Sequence, residues 1–286
     1  MISLPSLRDY ARTYAVTHGL APSSCKAHRW AINSLAKHLG REPDQSDLNR
    51  DTINAWLFAE LSRGLGATTV HFERRALLSL WQDAFEEGWC DTGPTRIRKI
   101  KLPQRVPNAW TLEQIRQLLA TCDSLRGRLK RQPQVSRCLF WRAYVLTGYY
   151  TGLRLGDLLK VRFDQIAADG SLTVIQNKTG TAVRCCLEYE ALSAIEGIMR
   201  PARQRIFGDL MSKQCIQEYF AALVKRAGLR GSTKWLRSSG ASWCEANTPG
   251  SAMAFLGHRT HGLAYRHYVD PAIANMNISR PPKLGG

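Results

Sequence analysis

Residues 151–159 read Thr-Gly-Leu-Arg-Leu-Gly-Asp-Leu-Leu. They close the most apolar window of the chain, Cys138 to Leu155, whose only charges are Arg142 and Arg154 and which holds four glycine or threonine residues. That content suits a buried helix ending in a turn better than a membrane span. Arg154 lies just past the turn, and Asp157 follows three residues on. At this spacing a carboxylate can orient a guanidinium across one helical turn. An ordinary surface ion pair has the same spacing, so the stretch gains meaning only from its surroundings.

Downstream, Phe163–Ala167, Ser171–Gln176 and Ala182–Leu187 have strand character, with turns at Asp169-Gly170 and Asn177–Thr181. A three-stranded antiparallel meander is expected. The remaining hundred residues read as helices. Upstream, Thr111-Leu-Glu-Gln114 has the spacing of a capping box, and Leu112, Ile115, Leu118 and Leu119 follow on one face. A basic stretch, Arg126 to Arg137, reads as irregular. Residues 110–271 are therefore expected to form an α+β domain of catalytic size.

The first part of the chain reads as all helix. One helix is expected from Leu7 to His18, and a second after Pro22-Ser23-Ser24, with Trp30, Ile32, Leu35 and Leu39 inside and Gly40 behind. Asp51 reads as the N-cap of a third, which carries Ile53, Trp56, Leu57 and Leu61. The fourth starts near Thr68 and carries Val70, Phe72, Ala76, Leu77, Leu80, Trp81 and Phe85. These stripes are read as core. Such a four-helix unit, residues 1–95, suits DNA or another protein equally well. Arg96 to Pro107, RIRKIKLPQRVP, is cationic and has no helical period, and its prolines disfavour helix before them. Residues 96–109 are read as an extended basic linker, with Arg96, Arg98, Lys99, Lys101 and Arg105 as candidate DNA contacts. Residues 272–286 form a tail.

Charge narrows the partner. The 286 residues hold 40 Lys+Arg against 23 Asp+Glu, a balance of +17. Residues 1–105 contribute +4 and the rest +13. With 44% hydrophobic residues the chain can bury a core, so the excess points to a polyanion, most simply nucleic acid. From the N-terminal residues no secretory signal is expected, no window suits a membrane helix, and the eight cysteines form no C-x-x-C pair. Free thiols in a reducing cytoplasm are expected, with no zinc ribbon. No P-loop pattern occurs, so ATP chemistry is not expected. Ser23–Lys26 and Lys178–Gly180 match S-x-x-K and K-T-G, but the middle element of that hydrolase set is missing.

Three further stretches bear on chemistry. Asn177-Lys178-Thr179-Gly180 lies in a hairpin turn, where an exposed lysine either reaches a partner or is simply solvated. Lys234-Trp-Leu-Arg237 puts two cations on one helix face. Leu256-Gly-His258 is followed by Tyr265, His267 and Tyr268, then Asp270-Pro271. A tyrosine is a poor nucleophile at its ordinary pKa of about 10 and needs cations beside it.

In order and spacing these motifs resemble the tyrosine recombinases, the phage-integrase family. The resemblance covers nearly the whole chain. It implies a helical core-binding domain of SAM-like type, the basic linker, and a mainly α catalytic domain with a small antiparallel β-meander. It makes Arg154, Lys178, Lys234, Arg237, His258 and Tyr268 catalytic, with Asp157 the buried support of Arg154. Lys234 stands where the family usually has histidine, which bears on proton shuttling there, since an ordinary lysine stays charged at pH 7. Tyr268, ten residues after His258 and next to His267, is preferred as nucleophile, with Tyr265 the second choice.

The implied reaction is attack of the tyrosine on a DNA phosphodiester, giving a 3′-phosphotyrosyl bond and a free 5′-hydroxyl. Arg154 and Arg237 clamp the non-bridging oxygens, His258 adds a hydrogen bond and assists deprotonation, and Lys178 protonates the leaving oxygen. No cofactor and no metal are implied. The partners implied are double-stranded recombination sites, a homotetramer on DNA, a monomer without it, and accessory DNA-bending factors. A separate arm-binding domain is not expected, and the tail 272–286 is a candidate contact with a neighbouring protomer. The leading function is site-specific DNA integration or excision by a mobile element. Alternatives are an Xer-type resolvase of chromosome dimers, a type IB topoisomerase-like enzyme, and an inactive DNA-binding relative.

Overall fold

The computed structural model describes residues 6–200 and 203–275. The chain forms two compact units that divide between Arg105 and Val106. Each has its own apolar core.

The first unit holds α1 (Leu7–Thr17), α2 (Pro22–Leu39), α3 (Arg50–Ser62) and α4 (Ala67–Glu86). Pro22 starts α2 at the position where its missing N–H costs nothing, and Gly40 ends it in the left-handed region at φ +70°. The core is built on Leu35, Ile53, Trp56, Leu77, Leu80 and Trp81, all essentially inaccessible. Trp30, Leu61, Phe72 and Phe85 were expected in this core and are instead exposed. The buried face of α2 runs through Ala27, His28, Ala31, Ile32 and Leu35. Small alanines let α2 and α4 approach closely, so the seam follows them and leaves the larger Trp30 outside.

Asp51 does not cap α3. Asn49, in extended conformation, accepts from the N–H groups of Asp51 (3.1 Å) and Thr52 (2.9 Å). Asp51 sits inside the first turn, where its negative charge still favours the helix terminus. The segment from Arg96 to Arg105 has no regular secondary structure. Its Ile97 and Ile100 pack on the helical core, and the Arg98 N–H donates to Asn54 Oδ1 at 3.0 Å.

The second unit opens with α5 (Leu112–Asp123), where Thr111 and Gln114 complete the capping box in both directions. Ile115 and Leu118 are buried, whereas Leu112 is exposed. The stretch expected as irregular forms a short hairpin, β1 (Arg128–Leu129) with β2 (Gln132–Ser136). Then come α6 (Arg137–Thr151), α7 (Leu155–Leu158), the antiparallel pair β3 (Ser171–Ile175) and β4 (Ala182–Cys186), and α8 (Tyr189–Glu196). The unit ends in α9 (Lys213–Arg226), α10 (Thr233–Asn247), α11 (Ser251–Leu256), α12 (His261–His267) and α13 (Pro271–Ala274).

The expected meander has two strands, not three. Phe163–Gln165 is a 3-10 turn. The Gln165 side chain accepts from the Arg162 N–H at 2.9 Å, and Arg162 pairs with Asp164. These local side-chain bonds offer the backbone an alternative to a ladder. Within the expected tail, residues 272–275 complete α13 and its end, and residues 276–286 lie outside the described residues, as does any protomer contact there.

Replacing Asn49 by alanine should lower unfolding stability by about 1 kcal/mol, the usual loss for an N-cap. Asp51→Ala should cost clearly less in the same urea titrations. Equal losses would show that the cap assignment is wrong.

Candidate active site

Arg154 is positioned by the end of α6. The helix stops at Gly152, whose φ of +56° suits glycine and where a Cβ would meet the Phe255 ring at 2.4 Å. The chain then turns, and Arg154 becomes the N-cap of α7 in extended conformation. Its guanidinium donates to Gln176 Oε1. Gln176 is fully buried at the end of β3, and its Nε2 donates to the Leu256 carbonyl at 3.0 Å. Nothing in the sequence singled out this glutamine. Its role arises because the hairpin brings it between two helix ends.

Asp157 is buried, but its partner is not Arg154. It accepts the Asn177 N–H at 3.0 Å, and its second oxygen has no partner among the described residues. The Arg154 guanidinium is directed to Gln176, and the carboxylate steadies the lysine-bearing turn instead. Lys160 reaches the same turn through Asn177 Oδ1 at 2.7 Å. Lys178 is exposed at the tip.

Arg237 is 2% exposed. Its guanidinium donates to the Gly152 carbonyl, to the Leu256 carbonyl at 3.0 Å and to His258 Nε2 at 3.2 Å. Burial, assisted by the nearby Arg154 charge and opposed by Tyr268 and Asp157, brings its pKa down to about 10, so it remains a cation at neutral pH. His258 follows Gly257, another left-handed cap at φ +63°, where a Cβ would meet Val183 at 2.2 Å. Burial and the charges of Arg237, Arg154 and His267 push the imidazole down to about 4. His258 is therefore neutral at pH 7. Because Nε2 accepts from Arg237, the ring proton sits on Nδ1, which has no partner among the described residues.

Tyr268 caps the C-terminal end of α12. Lys234 Nζ lies 4.9 Å and Arg237 Cζ 4.7 Å from its ring centre, and the His258 ring is 5.3 Å away. Burial alone would raise the phenol's pKa. Arg237, Arg154 and Lys234 outweigh it, and the net shift is below the ordinary tyrosine value. Two adjoining clefts share Arg154, Lys178, Lys234 and Tyr268 in their walls. The structure thus brings together all six residues expected to be catalytic. His267 lines one cleft as well, and burial followed by the charges of Lys234, Arg266 and Lys178 favours its neutral form.

Tyr265 has a different environment. Its hydroxyl donates to Glu245 at 2.5 Å, which with burial pushes its pKa up to about 12. Glu245 also accepts from the N–H groups of Gly250 (2.6 Å) and Ala252 (3.0 Å). The candidate linker cations Arg96, Arg98, Lys99, Lys101 and Arg105 are exposed and belong to the first unit. Among the described residues no group of His, Cys, Asp and Glu side chains could hold a metal ion, and no helix is long and apolar enough to cross a membrane.

Residues 109–274, which contain every residue of this cleft, match the family model described as Phage integrase family. The chain belongs to the phage integrase family. A protein named as a tyrosine recombinase XerC from Pseudomonas aeruginosa is 27% identical over 181 residues, 58% of this chain and 40% of that protein. Tyrosine recombinase XerD from Caulobacter vibrioides is 25% identical over 195 residues, 66% of this chain and 60% of its own length. The chain spans less than two thirds of the curated relatives it matches. In fold it is similar to a lambda integrase fragment crystallised as a dimer on a COC′ core site, with TM-score 0.70 at 20% identity over 98% of this chain and all of that one. The Tn1549 transposon integrase in complex with a circular intermediate DNA gives TM-score 0.72 at 12% identity over 95% of this chain and 98% of that one. These integrases share the mainly helical fold of the chain.

Tyr265→Phe should lower unfolding stability by about 1–3 kcal/mol, because it leaves buried Glu245 one donor short. The same variant should still form any covalent tyrosyl adduct that the wild type forms. Loss of the adduct with stability intact would reverse the roles given to the two tyrosines.

Proposed function

We propose that the protein is a site-specific tyrosine recombinase that cuts and rejoins duplex DNA, with Tyr268 as nucleophile. The observation that carries this reading is a phenol held below its ordinary pKa by three cations at the wall of an open basic cleft. A phosphodiester is the substrate such a cleft suits. Its non-bridging oxygens match the bidentate fork of a guanidinium, and extra negative charge develops there as the phosphorus becomes five-coordinate.

Tyr268 Oη gives its proton to water in the open cleft and attacks phosphorus, forming a tyrosyl ester on the 3′ side. The bond to the 5′ oxygen breaks, and Lys178 supplies the proton that this oxygen needs to leave as a hydroxyl. Arg154 and Arg237 hold the charge in between. The His258 Nε2 lone pair already accepts from Arg237 and Nδ1 is buried, so His258 serves better to hold the Arg237 guanidinium in place than as the base. The ester keeps the energy of the phosphodiester, and a second 5′-hydroxyl reverses the step. Lys234 acts as a fixed cation against the phenol where the family usually places histidine.

The finer assignment is integration or excision of a mobile element, acting as a tetramer on its sites from a cytoplasmic location. In support, the fold neighbours include the lambda and Tn1549 integrases, and the lambda enzyme is also solved as a tetramer on a Holliday junction. The XerC and XerD relatives keep chromosome-dimer resolution as the second reading. Repeats flanking the gene that match a host sequence would favour the first, and their absence the second.

Tyr268→Phe should bind duplex DNA as the wild type does and trap no covalent complex on denaturing gels. Persistence of the adduct would reject Tyr268 as nucleophile. The cleavage rate should rise with pH and level off below the ordinary tyrosine pKa of about 10. Lys234→Ala removes one of the lowering charges, so its profile should move to higher pH. A profile that stays in place would show that Lys234 does not act on the phenol.

A further inference from the structure

The β1–β2 hairpin contributes no residue to the two active-site clefts. Residues 126–137 contain Arg126, Arg128, Lys130, Arg131 and Arg137 and no acidic residue. All five cations are exposed. Among the described residues none of them enters an ion pair, whereas Arg142, just beyond, is matched by Asp123 and Glu190. Unpaired cations this dense repel one another, and a polyanion relieves that cost.

Their position relative to the cleft is set by α9. Lys213 and Gln217, one turn apart at its start, line the active-site cleft. Cys215 and Tyr219, also one turn apart but on the opposite side of the helix, line a groove whose other wall is Arg128, Lys130 and Arg131. One helix end thus separates the cleft from the hairpin. A helix with its side chains is about 10–12 Å across. That is about three base-pair steps at 3.4 Å each.

We infer that the β1–β2 hairpin is a second phosphate-binding surface, which grips the backbone of the same duplex a few base pairs from the phosphate held by Arg154 and Arg237. The inference rests on the recombinase reading. The hairpin cations hold register and add affinity; they make no contact with the reacting atoms.

The test uses the full chain and a random-sequence duplex of about 30 base pairs, with fluorescence anisotropy across a salt series. Each phosphate contact contributes about 0.9 to the slope of log affinity against log salt. The triple substitution R128Q/K130Q/R131Q should weaken binding about tenfold or more and flatten the slope by about 2 to 3. The charge-retaining R128K/R131K should bind like the wild type. The triple K225Q/R226Q/R230Q, at and just beyond the far end of α9, removes equal charge and should change binding far less. Equal weakening by both triples would reduce the hairpin to general charge and overturn the inference.

A second measurement needs no variant. Lys130 in the wild type should be protected by the duplex from an amine-reactive label, read by mass spectrometry. Full labelling at saturating DNA would overturn the inference, and protection by polyglutamate but not by the duplex would assign the surface to an acidic protein instead. If the wild type bound no duplex at all, the recombinase reading itself would fail.

Discussion

The buried Arg237 guanidinium is the contact on which the site depends. It donates to the carbonyls of Gly152 and Leu256 and to the His258 ring. Those acceptors belong to the end of α6, the end of α11 and the loop after it. Both carbonyls are freed by left-handed glycine caps, at 152 and 257. A buried cation without such acceptors would be costly. With them it joins three segments and still presents a charge to the phenol of Tyr268.

Gln176 extends this arrangement to the hairpin. It takes a hydrogen bond from Arg154 and gives one to the Leu256 carbonyl, which Arg237 also uses. The two arginines therefore keep a fixed relation through one glutamine and one carbonyl. Preorganised donors of this kind need no rearrangement when charge develops. Lys178 is treated differently. Only backbone and neighbouring side chains steady its turn, through Asp157 and Lys160, and the lysine itself stays exposed. An exposed position suits the proton donor proposed for Lys178, and buried positions suit the charge stabilisers proposed for the two arginines.

Glu245 does for α12 what Arg237 does for the cleft. It binds the N–H groups at the start of α11 and the hydroxyl of Tyr265 on α12. The two tyrosines thus divide their work. Tyr265 faces an anion and is held protonated; Tyr268 faces cations and is biased toward ionisation. The same side chain at two positions three residues apart receives opposite shifts because its neighbours carry opposite charge.

The sequence by itself determined the helical character of the first unit, the apolar α6 with its glycine stop, the capping box at Thr111, and the six residues that converge in the cleft. The first three are legible because glycine, capping side chains and helical spacing act locally, and the six residues because their motifs, in order, resemble those of a known family. The tertiary structure decided the rest. It put Trp30 and Phe72 outside the core, because alanines on the other face let the helices approach. It gave Asp157 to Asn177 rather than Arg154, turned the expected first strand into a 3-10 turn, and found structure in the basic hairpin. It also brought in Gln176 and Glu245, which no local pattern marks, since each is defined only by partners distant in the chain. Burial and the sum of surrounding charges, which set the state of His258 and of both tyrosines, exist only once those distant segments meet.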